Sequence, residues 1–306
     1  MEDLIRDQAD GHHPDIRAAL DLLLSAGGKR IRPTITILIG KMLSAPKQEL
    51  LRLAAAIELL HTATLVHDDL IDSSLLRRGS PTLNSQWSTG ATVLTGDFLF
   101  ACAAKLAAET NSVEVMRLFS QTLVVIVNGE ITQLFDGNNE TDRQKYFNRI
   151  YAKTASLFET SAATAAMISS TDDRVVEKMK RFGHEIGMAF QIVDDILDIT
   201  GDPNTVGKPI GSDLRQGLIT LPAITFIENN PDHPVVKRWQ KGDHPANDEN
   251  VEELVSALKK TTAISESLET ARKYMNHGLD VLKEMPTNPE HAALIELSHY
   301  IVDRKL

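Results

Sequence analysis

One cysteine, Cys102, stands in 306 residues, so a disulfide within the chain is excluded. Such usage fits a reducing compartment. No Lys/Arg run of the kind that tracks nucleic acid occurs, and the net charge is −10. General affinity for nucleic acid is therefore excluded. Phosphate ligands are not, because a local arginine cluster or a divalent metal overrides the overall charge. The opening "MEDLIRDQADGHH" lacks the apolar stretch of a secretory signal, which with the single thiol sets cytoplasmic localisation as the expectation. Uninterrupted apolar runs such as "LVVIV" (123–127) are far shorter than a bilayer crossing requires. On run length alone, no transmembrane segment is expected. Sustained period-two alternation is absent as well, and no low-complexity linker divides the chain.

What is present is helical pattern. Hydrophobic residues make up 42% and charged residues 24%, enough for a large core. Apolar positions recur at spacings of three and four through 50–72, 113–135, 153–170, 174–200, 252–285 and about 290–302. Several of these segments are apolar over more than one stripe, as helices surrounded by other helices are. The stretch 229–250 is rich in Pro, Asn and Asp and reads as a surface excursion with room for one short helix. The expectation is one all-α domain covering 1–306.

Charge inside that apolar pattern carries the functional signal. "LVHDDLID" (65–72) places Asp68, Asp69 and Asp72 late in a long apolar helix. "QIVDDILD" (191–198) repeats the layout with Asp194, Asp195 and Asp198. Positions i and i+4 share a helix face. Asp68 with Asp72, and Asp194 with Asp198, thus form two carboxylate pairs. Like charges at that spacing repel, more strongly when desolvated. One such motif could be a solvated helix end; two matching ones point to a divalent metal. Mg²⁺ suits the pattern, since it takes oxygen ligands and shares its shell with substrate phosphate.

Cations accompany the carboxylates. "GGKRIRPT" (27–34) gathers Lys29, Arg30 and Arg32 behind two glycines, and "LLRRGS" brings Arg77 and Arg78 before Gly79. Lys153-Thr154 opens the third helical segment, and "GKPIGSDLRQG" (207–217) carries Lys208, Asp213 and Arg215. Arginine donates two bonds at once to phosphate and lysine acts as a point charge. His61 lies seven residues before Asp68 on the same helix face. Alone it would read as a packed core histidine. His67 precedes the motif, points elsewhere and reads as structural.

Taken in order, "GGKRIRP", "HTATLVHDDLID…RRG", "TGDFL", "GE", "KTASLF", "GMAFQIVDDILD", "GKPIGSDL…TLP" and "DRKL" resemble the trans-isoprenyl diphosphate synthases, or polyprenyl synthetases, over nearly the whole chain. The resemblance implies a large all-α bundle around a deep central pocket, with the two Asp motifs facing each other across its mouth. It implies head-to-tail condensation of isopentenyl diphosphate onto an allylic diphosphate: dimethylallyl, geranyl, farnesyl or geranylgeranyl. The allylic diphosphate would be held through Mg²⁺, three ions per active site with substrate bound, by Asp68, Asp69, Asp72, Asp194, Asp195 and Asp198. Arg77, Lys153 and Lys208 would touch the same diphosphate, with Asp213 on the Lys208 loop. Isopentenyl diphosphate would bind without metal through Lys29, Arg32, His61 and Arg78, with Arg304 closing that site. Thr154 and Gln191 would steady the allylic cation with oxygen dipoles. A homodimer formed by helix packing beside the active site is implied too.

The resemblance also bears on product length. In the family, large aromatics four and five positions before the first Asp stop the chain early. Here these positions are Thr64 and Ala63, both small. Leu60 would lie roughly 12 Å below the metal site. A product beyond C20 is expected, with Phe98, Phe100, Phe119 and Leu123 as unranked candidates for the floor. Leu218 stands where many members have lysine. Two rivals follow from the same residues. A class I terpene cyclase needs no second diphosphate site, and a non-catalytic subunit of a heteromeric synthase typically loses one Asp motif.

Overall fold

Ala and Leu at spacings of three and four make helix the local outcome, and the computed structural model is built almost wholly of helices. The structure describes residues 1–136, 141–169, 171–201, 210–240 and 248–304. The chain divides into two compact units. One comprises Met1–Thr122, Glu159–Lys180 and Met285–Leu294; the other comprises Leu123–Phe158, Arg181–Glu284 and Ile295–Leu306.

The first unit begins with α1 (Glu2–Arg6), α2 (Pro14–Ser25), α3 (Ile31–Met42), α4 (Lys47–Ile71), α5 (Leu83–Gln86) and α6 (Thr89–Ala108). Helix α2 starts where Pro14 presets the first helical φ and the His13 ring accepts from the Asp15 amide. Helix α4 is the spine and packs against α3 and α6. Every residue from Leu53 to Leu60 is buried, including Glu58. After α4 a short ladder pairs Leu76–Arg77 with Ser80–Pro81. Its turn residues, Arg78 (φ 54°) and Gly79 (φ 77°), both have positive φ, as a type I′ hairpin requires.

The remaining helices are α7 (Val113–Asp136), α8 (Arg143–Ile150), α9 (Ser156–Met167), α10 (Asp173–Thr200), α11 (Ser212–Arg215), α12 (Leu221–Asn229), α13 (Pro234–Gln240), α14 (Asp248–Leu258), α15 (Ala263–Leu282) and α16 (Pro289–Val302). Of these, α7, α9, α10 and α16 lend residues to both units. The second unit's core gathers Tyr146, Ile192, Val193, Ile196, Leu221 and Phe226 with neighbours from α11 to α15.

Three segment readings change. Lys153 does not open a helix: the helical run starts at Arg143 and passes through a π-turn, Tyr151–Ala155, before α9. The segment 252–285 is two helices, because Thr261 and Thr262 sit at the break and their hydroxyls bond locally, Thr261 to the Ala263 amide and Thr262 to Glu266. The polar stretch 229–250 is not wholly a surface excursion, since α13 buries Val235 and Val236 in the core.

The bilayer reading also needs correction. Uninterrupted runs are short, yet by length and composition Lys47–Ile71, Thr89–Ala108 and Val113–Phe135 are apolar enough to cross a membrane, with mean hydropathies of 1.3, 1.4 and 1.2. Run length missed them because isolated polar residues interrupt helices whose average is apolar. Their surroundings differ: 67%, 44% and 17% of the respective apolar windows are buried. Helix α4 is thus a core helix, whereas α7 shows Val124, Val127, Ile131 and Leu134 on its surface.

Close approach in the second unit depends on Gly187. A Cβ there would lie 2.7 Å from Ala155 Cα and 2.8 Å from Phe158 Cβ. Helix α10 can therefore lie directly on the π-turn. Gly187→Val is expected to destabilise the protein by about 1–3 kcal/mol through overpacking. Denaturant titration checks this, and an unchanged midpoint would contradict it.

Candidate active site

The three carboxylates of the first motif do not share one environment. Asp69 is buried, and Arg77 grips it from the hairpin: Nε donates to Oδ1 at 2.9 Å and Oδ2 at 2.8 Å, while Nη2 lies 2.7 Å from Oδ1. A buried carboxylate requires such a partner. Asp68 is partly exposed and Asp72 exposed. They follow His61, Thr64 and Leu65 along the accessible stripe of α4. That stripe ends at His61; Leu60 and Ala63 are fully buried. Of the three residues expected to govern product length, only Thr64 reaches open space. Leu60 and Ala63 point into the packing of the first unit, which periodicity on an all-apolar helix does not reveal.

The glycine-rich loop and the hairpin converge on the same helix. Arg30 adopts the left-handed conformation (φ 47°) just before α3 and pairs with buried Glu58. Arg32 Nη1 lies 3.2 Å from His61 Nε2. Arg78 donates to the Gly27 carbonyl and passes so close to Gly28 that a Cβ there would sit 2.6 Å from its Nη1. A side chain at Gly28 would push the Arg78 guanidinium aside. Lys29 is exposed on the same loop.

Burial and then the charges of Arg32, Arg77, Arg78 and Arg30 hold the His61 imidazole well below its ordinary pKa. A neutral ring with bare Nε2 accepts from Arg32, which leaves Nδ1 to carry the proton. Burial pushes the Glu58 carboxyl up, against the opposing pull of Arg30. The charges of four arginines thus act on His61, and Glu58, Glu2 and Asp69 are among the carboxylates that pair with them. Such a cluster suits an anion.

In the second unit the second motif is sorted in the same way. Asp194 is partly exposed and pairs with Arg304 at 2.7 Å. Arg304 is itself buried, donates from Nε to the Ile301 carbonyl and from Nη2 to the Phe190 carbonyl, and lies over the Phe190 ring. The structure therefore sets Arg304 beside an aspartate of the second motif, where the sequence had suggested a cation for isopentenyl diphosphate. Asp198 accepts from the Ser212 and Asp213 amides, both at 3.1 Å, and so caps α11.

Asp195 is buried. Its Oδ2 accepts from the Tyr146 hydroxyl at 2.7 Å and its Oδ1 from Gln191 Nε2 at 2.7 Å. The Gln191 carbonyl oxygen accepts from Thr154 at 2.6 Å. Burial, then the Asp213 charge, push the Asp195 carboxyl up to about 8, against the bonds from Tyr146 and Gln191. Lys153, on the π-turn, donates to Glu130 of α7 at 2.7 Å. The π-turn aims Lys153 and Thr154 at different partners; such turns are frequent at functional sites. Lys208 lies outside the described residues.

Four residues with these contacts escaped sequence reasoning. Glu58 gave the same signal as the Asp motifs, a charge inside an apolar run. Arg30 and Glu130 lay inside quoted motifs without a role. Tyr146 gave no signal. Among the described residues no three His, Cys, Asp or Glu side chains converge to hold a metal alone. The pair Asp68 and Asp72, one turn apart, fits an ion that takes few protein oxygens and completes its shell with water and phosphate.

The chain matches the family model for polyprenyl synthetase over residues 13–258. It is 35% identical over 285 residues to heptaprenyl diphosphate synthase component 2 of Bacillus subtilis, covering 92% of this chain and 81% of that protein. It is 37% identical to the protein of the same name from Geobacillus stearothermophilus, covering 99% and 94%. Among solved structures, heptaprenyl diphosphate synthase of Staphylococcus aureus is similar with a TM-score of 0.93 at 33% identity, covering 100% of this chain and 96% of that one. A polyprenyl synthase of Caulobacter crescentus, solved with calcium and isoprenyl diphosphate, has a TM-score of 0.91 at 33% identity, covering 99% and 93%.

The depressed His61 has a consequence for stability. The folded ring stays neutral, while the unfolded chain takes up a proton as pH falls through about 6.5. Stability tied to His61 is thus present above that pH and lost below it. In denaturant titrations between pH 7.5 and 5, the wild type is expected to lose more stability than His61→Gln. Parallel losses would contradict a neutral His61 in the folded chain.

Proposed function

Because the chain belongs to the polyprenyl synthetase family, we propose that this prenyl-group transferase extends an allylic diphosphate with isopentenyl diphosphate, head to tail and in the all-E sense, to a product longer than C20. The observation that carries this reading is the double equipment of α4: Asp68 and Asp72 share one stripe of the helix with His61, and arginines from the α3 start and the hairpin act on His61. A metal-type pair and a metal-free cation cluster suit two diphosphates held in different ways.

In the reaction the allylic C1–O bond breaks and its electron pair leaves on diphosphate. The isopentenyl double bond attacks C1, and a proton is then lost from isopentenyl C2 to the departing diphosphate, so no protein base is needed. Asp68, Asp72 and Asp194 are assigned to Mg²⁺, while Asp69 and Asp195 act as anchors held by Arg77 and by Tyr146 with Gln191. When bound, Mg²⁺ would neutralise the charge that develops on the leaving diphosphate. Lys153 adds a cation to the allylic diphosphate, and Arg32, His61, Arg78 and Lys29 orient isopentenyl diphosphate. Thr154 and Gln191 turn oxygen dipoles toward the allylic cation.

The length assignment is supported by relatives named heptaprenyl, octaprenyl and solanesyl diphosphate synthase, and by small Thr64 on the open stripe. A partner chain belongs to the proposal. Val124, Val127, Ile131 and Leu134 recur at spacings of three and four on the exposed side of α7, which supports helix-to-helix association. A second copy is the first assignment. The relatives named component 2 favour a second reading, a catalytic subunit that works with a different chain.

The test is a product assay with Mg²⁺, isopentenyl diphosphate and farnesyl or geranylgeranyl diphosphate, followed by sizing of the dephosphorylated alcohols. A ladder ending above C20 is expected. Diphosphate release without elongation would replace this reading with a cyclase, and no turnover by the chain alone would favour the two-component form.

A further inference from the structure

Thr154, Gln191, Asp195 and Tyr146 form one hydrogen-bonded line within the second unit, with steps of 2.6, 2.7 and 2.7 Å. An amide side chain has two ends of nearly the same shape, one donating and one accepting. Only its partners decide which end points where. Asp195 Oδ2 takes the Tyr146 hydroxyl and Oδ1 takes the Gln191 NH₂, which turns the Gln191 carbonyl oxygen toward Thr154. Thr154 has one proton to donate and spends it on that oxygen. Its remaining lone pairs are then left to accept. The line thereby sets the sign of the dipole that Thr154 offers a ligand.

We infer that Tyr146 is a positioning residue for prenyl transfer, whose hydroxyl fixes Asp195 so that Gln191 and Thr154 turn oxygen, not hydrogen, toward the developing allylic cation. The inference rests on the condensation proposed above. Tyr146 is suited to the role. It is buried in the core, where its ring meets Phe147 edge-on and Arg149 stacks on it at 5.6 Å. Its hydroxyl donates to Asp195 Oδ2 at 2.7 Å. Without that hydroxyl, Asp195 Oδ2 would lose its donor inside the core. The carboxylate could then turn, and the Gln191 amide with it.

Tyr146→Phe keeps the ring and deletes only the donor. With the full chain, Mg²⁺, isopentenyl diphosphate and farnesyl diphosphate, kcat is expected to fall about tenfold or more, in the range of a lost transition-state dipole. KM for both diphosphates should stay within about twofold, since only transition-state interaction is lost. Mn²⁺ uptake, read by its electron paramagnetic resonance signal, should be unchanged. In a Gln191→Leu background the same substitution should cost much less, because the line is already cut. Wild-type kcat in Tyr146→Phe, a loss confined to KM or Mn²⁺ uptake, or penalties that multiply in the double variant would each overturn the inference. Should Tyr146→Phe fail to fold by circular dichroism, 3-fluorotyrosine at 146 keeps the hydroxyl and changes its donor strength. A shifted kcat at constant KM then supports the inference, and an unshifted kcat overturns it. A wild-type chain that elongates no primer would instead defeat the proposed reaction, so the two failures are distinguishable.

Discussion

Two carboxylates, Asp69 and Asp195, are buried in helices that are otherwise packed with apolar side chains, and much of the local architecture answers their cost. A buried carboxylate without partners is expensive by several kcal/mol. The hairpin after α4 delivers Arg77 to Asp69 in a two-pronged grip. Helix α8 delivers the Tyr146 hydroxyl to Asp195, and α10 itself supplies Gln191 one turn earlier. Each anchored carboxylate fixes the rotation of its helix. The neighbouring aspartates, Asp68 and Asp72 in one unit and Asp194 in the other, then fall on accessible surface.

Two of the backbone's left-handed residues lie in the segments that meet α4 near the first triad. Arg30 and Arg78 are non-glycine residues at positive φ, an arrangement that costs of order 1–3 kcal/mol at each position unless a turn is built for it. At Arg78 the type I′ hairpin accommodates it. At Arg30 the bond to Glu58 compensates, because leaving Glu58 alone in the core of α4 would cost more. The same strain aims Arg32 at His61 and Arg78 at the glycine loop.

Much of the fold and of the candidate site was legible in the sequence, for physical reasons that differ by element. The all-α class followed from apolar spacing. The two triads were conspicuous because charge inside an apolar run needs a cause. Spacing could not tell anchor from ligand within a triad. Asp69 and Asp68 are adjacent in sequence, and only the hairpin's position in space gives Asp69 its arginine. The ion pair of Arg304 with Asp194 was not legible, because it depends on how α16 returns to α10. The π-turn at Tyr151–Ala155 left no trace in hydrophobic period, and Tyr146 looked like an ordinary aromatic in a short polar helix. Spacing also could not show that Leu60 and Ala63 are fully buried, because α4 is apolar on nearly every side over that stretch.

The central claim is a division of labour within the triads: Asp69 and Asp195 anchor their helices, and Asp68, Asp72 and Asp194 are the aspartates proposed to meet the metal-bound diphosphate. The most direct measurement is Mn²⁺ binding by electron paramagnetic resonance, with an unreactive thiolo analogue of farnesyl diphosphate present, on the wild type, Asp68→Asn and Asp69→Asn, alongside thermal melts of each. The account predicts that Asp68→Asn weakens Mn²⁺ uptake strongly and melts like the wild type, whereas Asp69→Asn melts at lower temperature and retains far more of its Mn²⁺ uptake. Equal loss of Mn²⁺ in both variants, with the Asp69→Asn melting temperature unchanged, would contradict it.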